Sequence, residues 1–254
     1  MGLHVESSGN GPDLVLLHGW GMPASVWDEV AMELAQRFRV HNVDFPGYGG
    51  SGAGLPCTLE GMTHALAVAL PPRAIVCGWS LGGQLALQWA LTAPVQVARL
   101  VLIASTPRFV RGPAWDCGME VTTLDGFAQD LAADPRGALQ RFILLQAQGD
   151  AAAGAVARAL RKRALAHAVP DAASLLAGLR ILKETDLRAA LPRIVQPALI
   201  VHGECDTVVP LAAGEYMQHV LPHSTLEVIA GAAHAPFVAQ PGIVARRIAE
   251  FCHG

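Results

Sequence analysis

The chain has 254 residues, of which 52% are hydrophobic and only 15% charged, and its formal net charge is −3. That suits one large α/β domain with room for an insertion and a sheet buried on both faces. The acidic balance gives no reason to expect a nucleic-acid partner, and no apolar run reaches the roughly 18 residues of a membrane span.

Leu3 to Ser7 reads as a short first strand and Gly9-Asn10-Gly11-Pro12 as a turn. Asp13 to Leu17 is a continuous apolar strand that ends in His18-Gly19-Trp20-Gly21. A helix is expected over about Val26 to Arg37, with Ser25 as its N-cap. Val40 to Asp44 is a further strand, followed by the glycine-rich loop Phe45-Pro46-Gly47-Tyr48-Gly49-Gly50-Ser51-Gly52. No Gly-Lys-Ser/Thr follows, so this is not a phosphate loop. Thr58 to Leu70 reads as a helix capped by Thr58. Arg73 to Cys77 is a strand, Leu81 to Leu91 a helix and Leu100 to Ala104 a strand.

The alternation then stops. Leu124 to Ala132, Pro135 to Gln148, Ala151 to Ala168 and Asp171 to Leu182 are helical patterns rich in Ala, Leu and Arg, with no strand between them. Residues 107–188 therefore read as a helical cap, or lid, inserted into a core made of residues 1–106 and 189–254. The rhythm resumes with a strand at Pro197 to Val201, a helix at Leu211 to Leu221, a strand at Thr225 to Ile229, a loop over 231–237 and a closing helix at Pro241 to Cys252. The expected fold is α/β, a mostly parallel central sheet flanked by helices and carrying this cap.

The N-terminus, Met1-Gly2-Leu3-His4-Val5-Glu6, has neither a basic region nor an apolar core, so no export signal is expected. Cys57, Cys77, Cys117, Cys205 and Cys252 are scattered, odd in number and without a Cys-x-x-Cys pair, which points to free thiols. No histidine pair has metal-ligand spacing beside a carboxylate, so neither a metal nor a cofactor is expected. Charge is unevenly spread. Arg136, Arg141, Arg158, Arg161, Lys162, Arg163, Arg180 and Lys183 face only Asp150 and Asp171, so that segment is +6 and the remainder −9. Most basic runs are solvated helix faces, but this one coincides with the inserted segment.

The chemistry centres on Gly78-Trp79-Ser80-Leu81-Gly82. Such glycine patterns also arise by chance. Here a strand precedes and a helix follows, which makes a nucleophile elbow: a strained turn that holds the Ser80 hydroxyl above the sheet at a helix N-terminus. Serine needs a base, and the base needs a group that orients it. Asp206 and His234 follow Ser80 in the required order, each just after a strand, so all three gather at the carboxyl edge of the sheet. Glu204 and Asp44 compete with Asp206, but Glu204 lies within its turn and Asp44 precedes the serine. His18, His202, His219 and His223 compete with His234. His18 and His202 read as loop supports, and only His234 follows the last strand. An oxyanion hole would use the backbone N–H groups of Leu81 and Trp20.

His-Gly-Trp-Gly, Asp-x-Pro-Gly-Tyr-Gly-x-Ser, Gly-Trp-Ser-Leu-Gly-Gly, His-Gly-x-x-Asp and Ala-Ala-His-Ala-Pro-Phe together resemble the α/β-hydrolase superfamily over nearly the whole chain. Serine at position 80 argues against the aspartate-dependent haloalkane dehalogenases and epoxide hydrolases. Two cap segments, Arg-Phe-Ile-Leu-Leu-Gln (141–146) and Leu-Lys-Glu-Thr-Asp-Leu-Arg (182–188), further resemble the methyl ester carboxylesterases of biotin synthesis. The resemblance implies a cytoplasmic, monomeric esterase that hydrolyses the distal methyl ester of a pimeloyl chain on acyl carrier protein. It implies substrate contacts at Trp20, Ser80, Leu81, Phe142, Ile143, Leu144, Leu145, Gln146 and His234, and carrier-protein contacts at Arg141, Arg158 and Arg161. A related esterase, an enol-lactonase, a carbon–carbon bond hydrolase or a small-molecule receptor with a retained triad remain alternatives at this point.

Overall fold

The computed structural model describes residues 2–52, 54, 57–166 and 170–253. Its seven strands are β1 (Val5–Ser8), β2 (Asp13–Leu17), β3 (Arg39–Val43), β4 (Ala74–Trp79), β5 (Val97–Ile103), β6 (Ala198–Gly203) and β7 (Ser224–Ile229). They form one sheet in the order β1-β3-β2-β4-β5-β6-β7. Only β1 runs antiparallel, paired to β3, and every other neighbouring pair is parallel. A parallel sheet needs crossover helices on its faces, and its middle strands are then buried on both sides. This is why β2, β4 and β6 read as unbroken apolar runs, and every residue of β4 and β6 is buried.

The crossover and flanking helices are α1 (Asp28–Leu34), α2 (Leu59–Ala69) and α3 (Leu81–Thr92). The first of these departs from expectation. Ser25 is not its cap: a 3-10 turn over Ala24–Trp27 comes first, Pro23 begins it, and the Ser25 hydroxyl is buried without a partner among the described residues. Thr58 does cap α2, its Oγ1 accepting from the Gly61 N–H at 3.1 Å.

Among the described residues, four α-helices lie between β5 and β6: α4 (Val121–Ala133), α5 (Pro135–Ala147), α6 (Ala153–Leu165) and α7 (Ala172–Glu184). Asp134 and Asp171 cap α5 and α7 through the N–H groups of Gly137 and Ser174. The helix expected over 151–168 spans Ala153–Leu165, and residues 167 and 168 lie outside the described residues. The two ends of this segment meet at a neck. Leu187 N–H donates to the Pro107 carbonyl at 2.9 Å, and Arg108 pairs with Asp186 at 2.6 Å. Burial of the Asp186 carboxyl is outweighed by its bonds from Arg188 and Arg108, which hold it down at about 2, the Arg188 bond contributing most.

A 3-10 turn over Arg188–Arg193 leads back to β6. After it come α8 (Leu211–Val220), α9 (Pro236–Ala239) and α10 (Pro241–His253). The loop expected over 231–237 therefore ends in a short helix, begun by Pro236 at its first position. No helix among the described residues is long and apolar enough to cross a membrane.

Candidate active site

Ser80 sits between β4 and α3 with φ 54° and ψ −115°, a strained conformation for a residue with a side chain. Hydrogen bonds to both its N–H and its carbonyl hold the strain. Ser80 N–H donates to Ile103 O at 2.9 Å, and Ser80 O accepts from Gly83 N–H at 3.0 Å and from Ser105 Oγ at 2.9 Å. The turn is tight enough to need glycine on both sides. A Cβ on Gly78 would lie 2.2 Å from Gly82 O, and one on Gly82 would lie 2.4 Å from Leu17 O and 2.6 Å from His18 O. The first turn of α3 is thereby pressed against the end of β2.

His234 comes from the β7–α9 loop and Asp206 from the β6–α8 turn. Ser80 Oγ is 3.0 Å from His234 Nε2, and His234 Nδ1 is 2.8 Å from Asp206 Oδ2. A carboxylate can only accept, so the proton sits on Nδ1 and leaves Nε2 to accept from the serine hydroxyl. Asp206 Oδ1 accepts from the N–H groups of Val208 and Val209, both at 2.9 Å. All three side chains are buried, Ser80 being 7% exposed. Burial works against the charge on Asp206, but His234 and His202 beside it overcome that cost and hold its pKa well below the ordinary carboxylate range.

His202, read from sequence as a loop support, does more than that. Its Nε2–H donates to Val209 O at 2.8 Å and lies 3.5 Å from Asp206 Oδ2, so Asp206 stands between two histidines. The four-residue spacing of His202 and Asp206 was the signal available for this. Glu204 instead accepts from Gly231 N–H at 2.9 Å, and Asp44 accepts from Ala24 N–H (2.7 Å) and Gly50 N–H (2.8 Å).

The loop after β2 is shaped by His18. Its Nδ1–H donates to Gly19 O at 2.8 Å and its Nε2 accepts from Phe45 N–H at 3.0 Å. Burial lowers its pKa to about 4, against the raising influence of Gly19 O and Asp44, so the ring is neutral. Trp20 follows, and its side chain turns toward the inserted helices. The indole N–H donates to Leu175 O of α7 at 2.8 Å, and the ring packs edge-on against Phe127 of α4 and Phe142 of α5. Gly178 lets α7 lie flat on the indole, since a Cβ there would be 2.6 Å from Trp20 Cδ1. Neither the Trp20 nor the Leu81 backbone N–H has an acceptor among the described residues.

The stretch Phe142 to Gln146 divides by helical geometry. Phe142, Ile143 and Gln146 share the buried face of α5, and Gln146 O accepts from His234 N–H at 3.2 Å. The Gln146 amide is buried with neither polar atom partnered among the described residues. Leu144 does not join them: it is 63% exposed on the opposite face. With Leu145, Ala157, Arg141, Arg158 and Arg161 it borders an outer groove between α5 and α6. Among the three arginines, Arg141 pairs with Asp130 at 2.9 Å, while Arg158 and Arg161 have no ion pair among the described residues. Nor do the described residues bring together three His, Cys, Asp or Glu side chains that could hold a metal ion.

Comparison with known proteins places this chain in a family. A model of the α/β hydrolase fold matches residues 12–241. A pimeloyl-[acyl-carrier protein] methyl ester esterase of Nitrosomonas europaea is 48% identical over 239 residues, covering 94% of this chain and 95% of the relative. One of Aromatoleum aromaticum is 43% identical over 250 residues, covering 96% of this chain and 100% of the relative. Among solved structures, an esterase from Exiguobacterium antarcticum superposes with a TM-score of 0.90 at 24% identity, covering 99% of this chain and 96% of that one. An enol-lactonase from Burkholderia xenovorans superposes with a TM-score of 0.86 at 22% identity, with the same coverage. These two distant structures speak to the fold alone. The chain belongs to the α/β hydrolases and, within them, to the family of the pimeloyl-[acyl-carrier protein] methyl ester esterases.

Proposed function

We propose that this protein is a cytoplasmic serine carboxylesterase that hydrolyses the methyl ester of a pimeloyl chain carried on acyl carrier protein, releasing methanol, in biotin synthesis. The observation that carries the reading is the continuous chain Ser80 Oγ, His234 Nε2, His234 Nδ1, Asp206 Oδ2, with links of 3.0 and 2.8 Å. The substrate is supported by the names of relatives up to 48% identical over nearly the full chain.

In this mechanism Ser80 Oγ attacks the ester carbonyl while His234 Nε2 takes its proton. Asp206, ionised, holds the imidazole in the required tautomer and stabilises the imidazolium that forms. The developing oxyanion is met by the N–H groups of Trp20 and Leu81, each contributing on the order of 3–4 kcal/mol to the transition state. His234 then protonates the leaving methoxide. A water molecule, deprotonated by His234 in turn, attacks the acyl-enzyme carbonyl; the bond to Ser80 Oγ breaks, Oγ takes the proton back from His234, and the freed acid ionises to the carboxylate.

Residues 107–188 act as the cap. The face of α5 that carries Phe142 and Gln146 borders the acyl chain, and Trp20 ties that face to the oxyanion loop. The carrier protein docks on the outer side of the same helices. Over the full cap, eleven basic residues meet nine acidic ones, a net +2, so the positive charge is local to 136–183. Of the basic residues there, Arg141, Arg163 and Lys183 are engaged in ion pairs, with Asp130, with Asp28 and Glu29, and with Asp125. Arg136, Arg158, Arg161, Lys162 and Arg180 have no ion pair among the described residues and are left to attract an acidic partner, chiefly by raising its on-rate.

Complementation tests the role. The gene should restore growth without biotin to a strain lacking this esterase, and the Ser80→Ala version should not. Growth with Ser80→Ala would overturn the reading.

A further inference from the structure

We infer that Asp150, at the corner between α5 and α6, is a positioning residue for His234, an inference that rests on reading His234 as the catalytic base. The loop that carries the histidine is gripped from two sides. On the sheet side, Glu204 Oε2 accepts from Gly231 N–H (2.9 Å), Cys205 N–H donates to Ala232 O (2.9 Å), and Trp79 Nε1–H donates to His234 O (2.8 Å). On the side of the inserted helices, Ala151 N–H donates to Gly231 O (2.8 Å), Asp150 Oδ2 accepts from Ala233 N–H (2.9 Å), and Gln146 O accepts from His234 N–H (3.2 Å). The peptide N–H next to His234 is therefore held by a side chain 83 positions away.

The simplest alternative is that Asp150 only begins α6. Its Oδ1 does accept from Ala152 N–H at 2.7 Å, a local turn bond. That uses one oxygen, and the other crosses to the histidine loop. Asp150 is 8% exposed, and no cation pairs with it among the described residues. A buried carboxylate is costly to keep unless its bonds are needed. Here those bonds are two backbone N–H groups, one of which sits beside the base. Gly149 makes the approach possible. It has φ +89°, and a Cβ there would lie 2.8 Å from Cys205 O, in the turn that carries Asp206. The corner thus touches both turns that supply the base and its carboxylate.

Removing the Ala233 bond should let the imidazole drift from Ser80 and Asp206 without emptying any part of the acyl-binding surface. Asp150→Ala is expected to lower kcat on a short chromogenic ester by roughly ten- to a hundredfold, with KM within about twofold. The downfield proton resonance of His234 Nδ1–H should broaden or shift. Asp150→Asn keeps one acceptor oxygen and should fall between Asp150→Ala and the parent. Asp134→Ala removes a comparable Asp-to-backbone bond at the far end of α5 and should leave kcat unchanged. An unchanged kcat and resonance in Asp150→Ala, with His234→Ala inactive, would overturn the positioning role. Full activity in His234→Ala would instead overturn the reading beneath it. Should Asp150→Ala fail to fold, Asp150→Asn decides: reduced kcat at unchanged Tm supports the role, and parental kcat with a parental resonance refutes it.

Discussion

Asp206→Asn probes the proton relay with almost no change in shape. In the structure Oδ1 accepts from two backbone N–H groups, those of Val208 and Val209, each at 2.9 Å. Only an oxygen suits that position, so the new amide nitrogen must replace Oδ2, 2.8 Å from His234 Nδ1 and 3.5 Å from His202 Nε2. An NH2 group there meets His234 Nδ1–H, donor against donor. The imidazole relieves the conflict by carrying its proton on Nε2 instead. That nitrogen then faces Ser80 Oγ at 3.0 Å as a donor and cannot receive the serine proton. The same exchange in a serine protease lowers kcat by about 10⁴, which is about 5 kcal/mol of transition-state stabilisation. The assay is steady-state hydrolysis of a short chromogenic ester, with Tm as the check on folding. A loss of about 10⁴ at near-parental Tm is expected. Activity within about tenfold of the parent, with the fold intact, would refute the tautomer argument.

Four further predictions test the rest of the molecule. His18 is neutral when folded, with a pKa of about 4 against an ordinary 6.5. As pH falls from about 7 to 4 the unfolded chain therefore takes up protons first, and stability falls across that window, by about 2 kcal/mol between pH 7 and 5. His18→Gln removes the titration, and urea unfolding at the two pH values should show a correspondingly smaller difference; an unchanged difference would place the effect elsewhere. Arg158→Glu and Arg161→Glu should slow hydrolysis of a carrier-bound ester and reduce its salt sensitivity while sparing short free esters; equal loss on both substrates would make these residues supports of the fold. Gly82→Ala drives a methyl group against Leu17 O and should cost about 1–3 kcal/mol together with activity on every ester. Gly126→Ala in α4 meets no atom within 4 Å and should stabilise by up to about 1 kcal/mol in thermal unfolding.

The sheet and the serine turn were legible because their signals are local. β2 occupies the expected Asp13–Leu17, while β4 and β6 each extend two residues past the apolar runs that announced them, through Gly78-Trp79 and His202-Gly203. Backbone and capping signals were less uniform. Thr58 and Asp171 read correctly as helix starts, whereas Ser25 did not, because Pro23 opens a tighter 3-10 turn that shifts α1 by two residues. What stayed hidden were contacts between distant segments. That Arg141 spends its charge on Asp130, that Leu144 faces outward, and that Asp150 reaches Ala233 all depend on how helices of the insertion lie on one another and on the core. Hydrogen bonds from a side chain to a remote backbone group leave no spacing pattern in a sequence.

The central claim is that Ser80 cleaves a methyl ester presented on acyl carrier protein. Methanol release from purified pimeloyl-[acyl-carrier protein] methyl ester, followed together with the mass of the carrier, tests it directly. The parent enzyme should release one methanol for each carrier that loses a methyl group, and Ser80→Ala should release none above the uncatalysed rate. Equal release by Ser80→Ala, or an intact methyl ester after incubation with an enzyme that still cleaves short esters, would contradict it.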